Sequence, residues 1–395
     1  MTIWQQLKAQ RENHRWQVWS DVLVPWALSR SLLIFVGWFS YYFGANQNYG
    51  DPGALTRGWQ FSPIKLLDMW GRWDASWYLD IALHGYSLRG PLATTQSNVA
   101  FFPLYPFSIR AVLLLLPEGW RTPETALLIG VILSNIAFLA ALLLLYRLTR
   151  LLIDDRAVAQ RTQWYTVLFP AALFFSCVYT EALFFLLSIA AFYAALRHTW
   201  WAAGILGALA TLTRPTGILL VIPLAWIYGE AIKWKLHEMR WNIMWLAGLP
   251  LAYLGFTFSL YPIAGDWLAP LHVQAAWFAR FTAPWVTFFS SEGGAGPYIT
   301  RVDQLVVLGA FALALIALIK LPSKALGFYI LLAIAGTFAK GLMHSASRFV
   351  SAAFPIYITL ALLGKNQTFD RLVLIGFAAT QALLMAVWTR FYWVG

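Results

Sequence analysis

Apolar residues recur along the chain in runs too long for the helices of a soluble protein. The first occupies 21–43, and others follow at 124–146, 163–196, 200–228, 241–262, 302–320, 324–339, 347–363 and 371–389. A hydrocarbon core about 30 Å thick takes roughly 20 helical residues per crossing, so each run predicts at least one transmembrane helix. Two runs are longer and broken, one by Tyr179-Thr180-Glu181 and the other by Thr213-Arg214-Pro215-Thr216-Gly217. Each is either one kinked span or a hairpin of two short ones, and counting hairpins gives about eleven crossings. The leucine runs 113–116 and 142–145 do not alternate, which excludes a transmembrane β-barrel.

The stretch 44–123 is the longest part that does not span. Within it, Phe101-Phe102-Pro103-Leu104-Tyr105-Pro106 cannot continue a regular helix because of its two prolines. Residues 107–116 then offer about 15 Å of helix, and with Arg110 among them they predict an amphipathic helix lying in the interface. The whole chain reads as one all-α, integral-membrane, multi-pass domain, 1–395. Its working parts are a first external loop at 44–123, two hairpins with external tips at 163–229, and a second large external loop at 263–301.

Composition agrees: of 395 residues, 60% are hydrophobic and only 11% charged, which rules out a soluble protein of this size. The net charge of +11 points to basic loops facing lipid headgroups and not to nucleic acid. Cys177 is the only cysteine, so no intramolecular disulfide exists. Lys8, Arg11 and Arg15 precede a long apolar run with no small-residue cleavage site, which predicts a retained first span.

Charge also sets the expected topology, because cytoplasmic loops are enriched in Lys and Arg. Arg147, Arg150, Arg156 and Arg161 precede the first hairpin, Arg197 separates the two, and Lys233, Lys235 and Arg240 follow the second. The hairpin tips therefore point to the opposite side, with the N-terminus inside and the C-terminus outside. This arrangement collects Asp74, Asp80, His84, Glu181, Arg214, Asp266, Lys340, His344 and Arg348 on the external face.

The densest signal runs from Gly71-Arg72-Trp73-Asp74 through Trp77, Tyr78, Asp80 and His84 to Gly85-Tyr86. Helical spacing sets Asp74 beside Trp77 and Tyr78, and Asp80 beside His84. A carboxylate among aromatic rings suits a sugar, whose C–H faces stack while its hydroxyls bond the acid. The same pattern also fits an aromatic belt helix with solvated acids. Arg214 and Arg348 lie near spans, where an unpaired charge is costly and usually functional, and a planar guanidinium suits a phosphate. Structural alternatives are a salt bridge from Arg214 to Glu181 and snorkelling of Arg348 to the interface. Lys340 and His344 are further candidates to touch a phosphate. Taken together, an acid opposite cations suits a transfer reaction whose leaving group is a phosphate.

Trp73-Asp74-Ala75 with Gly85-Tyr86, then 101–106, then Tyr179-Thr180-Glu181-Ala182-Leu183-Phe184, then Arg214-Pro215-Thr216-Gly217 resemble, in order, the PIG-V family of integral-membrane mannosyltransferases. These enzymes add the second mannose during GPI-anchor assembly. The resemblance implies the GT-C glycosyltransferase fold, a large first external loop with membrane-parallel helices, and a catalytic acid in that loop, which falls on Asp74. It also implies a polyprenyl- or dolichyl-phosphate sugar donor, most simply mannose, and action on the non-cytoplasmic face upon a lipid or glycan acceptor. Ala182 and Pro215-Thr216 depart from the eukaryotic pattern and favour a prokaryotic relative with another acceptor. The expected membrane is then a prokaryotic plasma membrane, or the endoplasmic reticulum for a eukaryotic source.

In the reaction expected on these grounds, Asp74 is the general base of an inverting displacement, and Arg214 and Arg348, with Lys340 or His344, hold the donor phosphate. Trp73, Trp77, Tyr78, Asp80, His84 and Glu181 bind sugar or acceptor. No cofactor is required. Asp74, Asp80 and Glu181 are placed to leave a divalent ion open, although their spacing matches no ligand motif. A lipid-linked sugar flippase is the alternative of another class, and it would place its polar residues near the midplane on paired broken helices.

Overall fold

The computed structural model describes residues 3–43, 60–279, 282–289, 297–338, 341, 343 and 345–394, with side chains from 17 and, in the helix that begins at 297, from 300. The helices that build the site, numbered in chain order, are α1 (Ile3–Phe43), α2 (Ala75–His84), α3 (Leu104–Leu114), α4 (Pro123–Leu152), α5 (Arg156–Leu168), α6 (Glu181–Leu196), α7 (Trp200–Thr211), α8 (Val221–Ala231) and α9 (Gly248–Ala264). They continue with α10 (Pro297–Lys320), α11 (Lys324–Phe338), α12 (Ala346–Ser351), α13 (Pro355–Leu363) and α14 (Gln367–Trp388). Among the described residues there is no strand.

Five of the described helices are long and apolar enough to cross a membrane unaided: Gln17–Phe43, Pro123–Leu152, Trp241–Ala264, Thr300–Lys320 and Gln367–Trp388. The other apolar helices, Leu104–Leu114, Glu181–Leu196, Trp200–Thr211, Pro215–Ala231 and Lys324–Phe338, are shorter. The chain is a multi-pass integral membrane protein.

Both broken runs are hairpins. Along α1, Asp21 meets Arg156 at 2.8 Å, and Arg30 further along meets the Ala172 carbonyl and the Ser176 hydroxyl at 3.2 and 2.7 Å. The segment 156–176 therefore climbs beside α1. The chain then turns at 176–180 and α6 descends beside α4, where Phe185 packs near Phe138 and Tyr146 reaches Asp21 at 2.9 Å. In the second hairpin the rings of Trp200 and Tyr228 touch, with centroids 4.7 Å apart, so α7 and α8 begin and end at one level.

Local chemistry fixes these turns. Asp155 caps α5 by accepting from the Ala157 N–H, and Asn366 caps α14 in the same way. Thr122 caps α4 with Pro123 at its first position. Pro215 forces Arg214 before it into an extended backbone, φ −151° and ψ 144°. At Gly217 a Cβ would lie 2.5 Å from the Thr211 Cα and 2.6 Å from the Ala210 carbonyl, so only glycine lets the turn 215–220 lie against the end of α7.

Polar contacts sort the turns into two ends. One end gathers Asp21 with Arg156, Gln160 and Tyr146, Tyr165 with Asp370, and Glu230 with Ser323. The other gathers 60–124, the two hairpin tips, α12 and the residues after α14. The apolar helical faces between them form one continuous buried core, and the second end holds the site.

Candidate active site

The site begins with a short loop pinned from several directions. Asp68 and Arg72 are fully buried and paired at 2.7 Å, and Asp68 also accepts from the Phe61 and Ser62 N–H groups. The Trp388 indole donates to the Met69 carbonyl at 2.9 Å, and the Phe391 ring covers the Arg72 guanidinium at 4.0 Å. The loop then turns sharply at Trp73, whose φ of 53° is left-handed. For a residue with a Cβ this costs about 1–2 kcal/mol, a strain the surrounding contacts must hold. Directly after it, Asp74 stands at the N-terminal boundary of α2 with no side-chain cap bond to the helix.

Asp74 keeps 26% of its side chain exposed, and its Oδ2 lies 3.4 Å from Nη1 of Arg348. Arg348 comes from α12, whose start is fixed by Asp303 of α10 accepting from the Ser347 N–H at 2.9 Å. Its Nε donates to one oxygen of Glu181 at 2.9 Å, and its Nη2 forms an ion pair with the same oxygen at 2.8 Å. The guanidinium is boxed by the rings of Tyr179, Phe174 and Trp393, at 4.6, 4.8 and 5.4 Å. Arg214 approaches the same Glu181 oxygen at 3.1 Å, an ion pair without hydrogen-bond alignment, and leans on Phe349 at 4.8 Å. Glu181 is fully buried, and its second oxygen accepts no hydrogen bond.

The result is a chain of charges from four separate segments: Asp74, Arg348, Glu181, Arg214. The Arg214–Glu181 pairing that the sequence left open is present, and both arginines are buried. Beside Arg214 a small cleft, partly open to the surroundings, is lined by Phe184, Thr216, Leu219, Tyr329, Leu332 and Phe349 among others. The cleft is mostly apolar, with the buried Arg214 cation in its wall.

The other expected residues divide. Trp73 meets Trp393 edge to face, centroids 5.6 Å apart, within the site. Tyr78 is buried beneath it among Phe101, Tyr105 and Tyr179. Burial, reinforced by Glu181 and Asp74, raises its hydroxyl well above the ordinary phenol range, so it stays protonated. Trp77 stacks instead on Phe101 and meets Trp277 edge to face, with Arg89 over its face at 4.7 Å. Asp80 lies about 9 Å further along the α2 axis than Asp74. It is held by His84, Arg89 and Asn98, each at 3.1 Å, and so belongs to a separate polar cluster with exposed His84 at its rim. Lys340 and His344 lie outside the described residues.

Several site residues escaped the sequence reading. Tyr179 was visible only as part of a motif, Trp393 carried no signal, and Arg30 hid inside the first span. A buried arginine in a span is a flag in itself, and here Arg30 is spent on main-chain carbonyls and Ser176.

The helical architecture is the GT-C fold. It is shared with ArnT from Cupriavidus metallidurans, solved bound to undecaprenyl phosphate, at a TM-score of 0.50 and 14% identity over 93% of this chain and 76% of that one. Within this fold, residues 62–239 match the family described as Mannosyltransferase (PIG-V), so over that segment the chain is similar to the family its motifs resemble. It is 35% identical over 159 residues to GPI alpha-1,6-mannosyltransferase 2 of Cricetulus griseus, covering 40% of this chain and 31% of that protein. It is 31% identical over 171 residues to GPI mannosyltransferase 2 of Cryptococcus neoformans, covering 40% and 37%. The aligned part thus spans about a third of the length of these curated relatives. Asp74, Glu181 and Arg214 fall inside the matched segment and Arg348 outside it.

Proposed function

We propose that this protein is a glycosyltransferase that moves a sugar, mannose in the first place, from a polyprenyl- or dolichyl-phosphate donor to a lipid or glycan acceptor on the non-cytoplasmic face. The observation that carries the reading is the run Asp74, Arg348, Glu181, Arg214, which ends on an apolar groove. The resemblance to mannosyltransferases over 62–239 supports the sugar. ArnT, solved bound to undecaprenyl phosphate, shares the fold and supports the lipid.

In the reaction, the acceptor hydroxyl oxygen attacks the anomeric carbon as the bond from that carbon to the phosphate oxygen breaks. Asp74, about a quarter exposed, takes the hydroxyl proton and must lie within hydrogen-bond reach of that oxygen. Arg214 and Arg348 stabilise the negative charge growing on the departing lipid phosphate, which leaves as a monoester anion. Two buried guanidinium groups supply the neutralisation that a divalent ion supplies elsewhere. The lipid tail lies in the groove between the Arg214 turn, α11 and α12. Trp73 with Trp393 walls the sugar, and Glu181 fixes both arginines.

Purified full-length protein in lipid nanodiscs, given radiolabelled polyprenyl-phosphate mannose and a membrane lipid extract as acceptor, should form a mannosylated product of the opposite anomeric configuration. A labelled product that retains the donor's configuration would contradict the single displacement. Movement of intact donor across a sealed bilayer without new product would instead favour a flippase.

A further inference from the structure

Tyr179 meets both the turn that carries Asp74 and the Arg348 guanidinium without being one of the site's charges. Its hydroxyl donates to the Arg72 carbonyl at 3.0 Å and accepts from the Asp74 N–H at 3.1 Å. Those are the two peptide groups that flank Trp73, the residue held in the left-handed region. A phenol carries one donor and can accept as well, and Tyr179 spends both roles on this single turn. The ring is completely buried, set against Phe174, Trp388 and Tyr78 at 5.3, 5.9 and 6.1 Å. One residue earlier, the Val178 N–H bonds the Trp70 carbonyl at 3.1 Å and stitches the same two segments together. The face of the ring lies 4.6 Å from the Arg348 guanidinium.

We propose that Tyr179 is a positioning residue: its hydroxyl clamps the strained turn that presents Asp74, and its ring seats Arg348, so that base and phosphate ligand share one rigid reference. This rests on the reading of Asp74 as the base of the transfer reaction. The two roles sit on different atoms and are separable. Tyr179→Phe keeps the ring and its neighbours but removes the hydroxyl, leaving the Arg72 carbonyl and the Asp74 N–H without this partner. Trp73 is then free to relax towards ordinary φ values and carry the Asp74 carboxylate with it. A misplacement of about 1 Å at a reacting group costs on the order of 100-fold in rate.

The test uses the full-length protein in nanodiscs and reads two quantities. With polyprenyl-phosphate mannose as donor, Tyr179→Phe should lower kcat per folded molecule roughly 100-fold while the donor KM stays within about twofold, because Arg214 and the ring beneath Arg348 are unchanged. Hydrogen exchange should be slow at the Asp74 amide in the wild type and faster there in Tyr179→Phe, with protection along α6 unaltered. A merely structural role would lower folded yield or spread the exchange over both segments and leave kcat per folded molecule alone. A kcat within about twofold of wild type, or rapid Asp74 exchange already in the wild type, overturns the proposal. Should the wild type transfer nothing from this donor, the reaction reading falls by itself. The exchange comparison then still decides the clamp, upheld by loss of protection confined to Asp74 and overturned by none.

Discussion

Glu181→Gln removes one negative charge from the centre of the site and nothing else in shape. Glu181 is fully buried between two arginines at 2.8 and 3.1 Å, so little solvent screens the change. With charge centres about 4 Å apart and an effective dielectric near 20, each pair is worth roughly 4 kcal/mol before desolvation is counted. Breaking a buried pair by removing one partner costs about 3–5 kcal/mol in measured cases. The glutamine amide oxygen can still accept from Arg348, and Arg214 keeps its contact with Phe349, which places the expected loss near 3 kcal/mol. At roughly 2 °C per kcal/mol for a large chain, the thermal midpoint in nanodiscs should fall by about 6 °C. Glu181 also competes with a ligand phosphate for both guanidinium groups, so the less stable variant should bind polyprenyl phosphate more tightly, by about tenfold or 1.4 kcal/mol. A midpoint within 1 °C of wild type would refute the buried coupling. Weaker phosphate binding in a folded variant would refute the competition.

Other outcomes follow from the same contacts. Gly217→Ala drives a Cβ into the Thr211 backbone at 2.5 Å and should cost about 1–3 kcal/mol; because the Gly217 N–H bonds the Arg214 carbonyl, donor KM should rise as well, measured by initial rates. Asp80→Asn leaves Arg89 and His84 without their carboxylate, so protease sensitivity at 85–98 should increase while donor KM stays near wild type, in keeping with a cluster separate from the reacting groups. Asp266 is held below the usual carboxylate range by the hydrogen bond from His272, with the Leu268 N–H adding to it. A lowered folded pKa means that the contribution is fully present above the ordinary aspartate value near 4 and is lost as pH falls through the folded value, so amide protection at Leu268 should persist below pH 4 and disappear in Asp266→Ala, which has no side-chain acceptor.

The sequence carried the class of fold because long apolar runs have few alternatives, and it carried the ends of the hairpins because charge and proline mark them. It also brought Asp74, Glu181, Arg214 and Arg348 to one face by counting crossings. What it could not reveal was which faces meet. Helical spacing makes Asp74 a neighbour of Trp77 and Tyr78 along one helix, but the packing of Phe101 and Trp277 turns Trp77 into an aromatic cluster of its own. Asp80 likewise finds Arg89 and Asn98, partners supplied by the path of a loop with no periodicity to read. Tyr179 reaches Asp74 across 105 positions, and Trp393 reaches Trp73 from the far end of the chain. Such contacts are fixed by tertiary docking, which local patterns do not encode.

The central claim is that Asp74 takes the proton while the arginines hold the lipid phosphate, and Asp74→Asn separates the two most directly. The variant removes the base but keeps its size, at a side chain that is partly exposed and caps nothing. In nanodiscs, mannosyl transfer from the lipid-phosphate donor should drop by 100-fold or more, on the order expected for a general base, with polyprenyl-phosphate binding at least as tight as in the wild type. Transfer by Asp74→Asn at the wild-type rate would contradict the account.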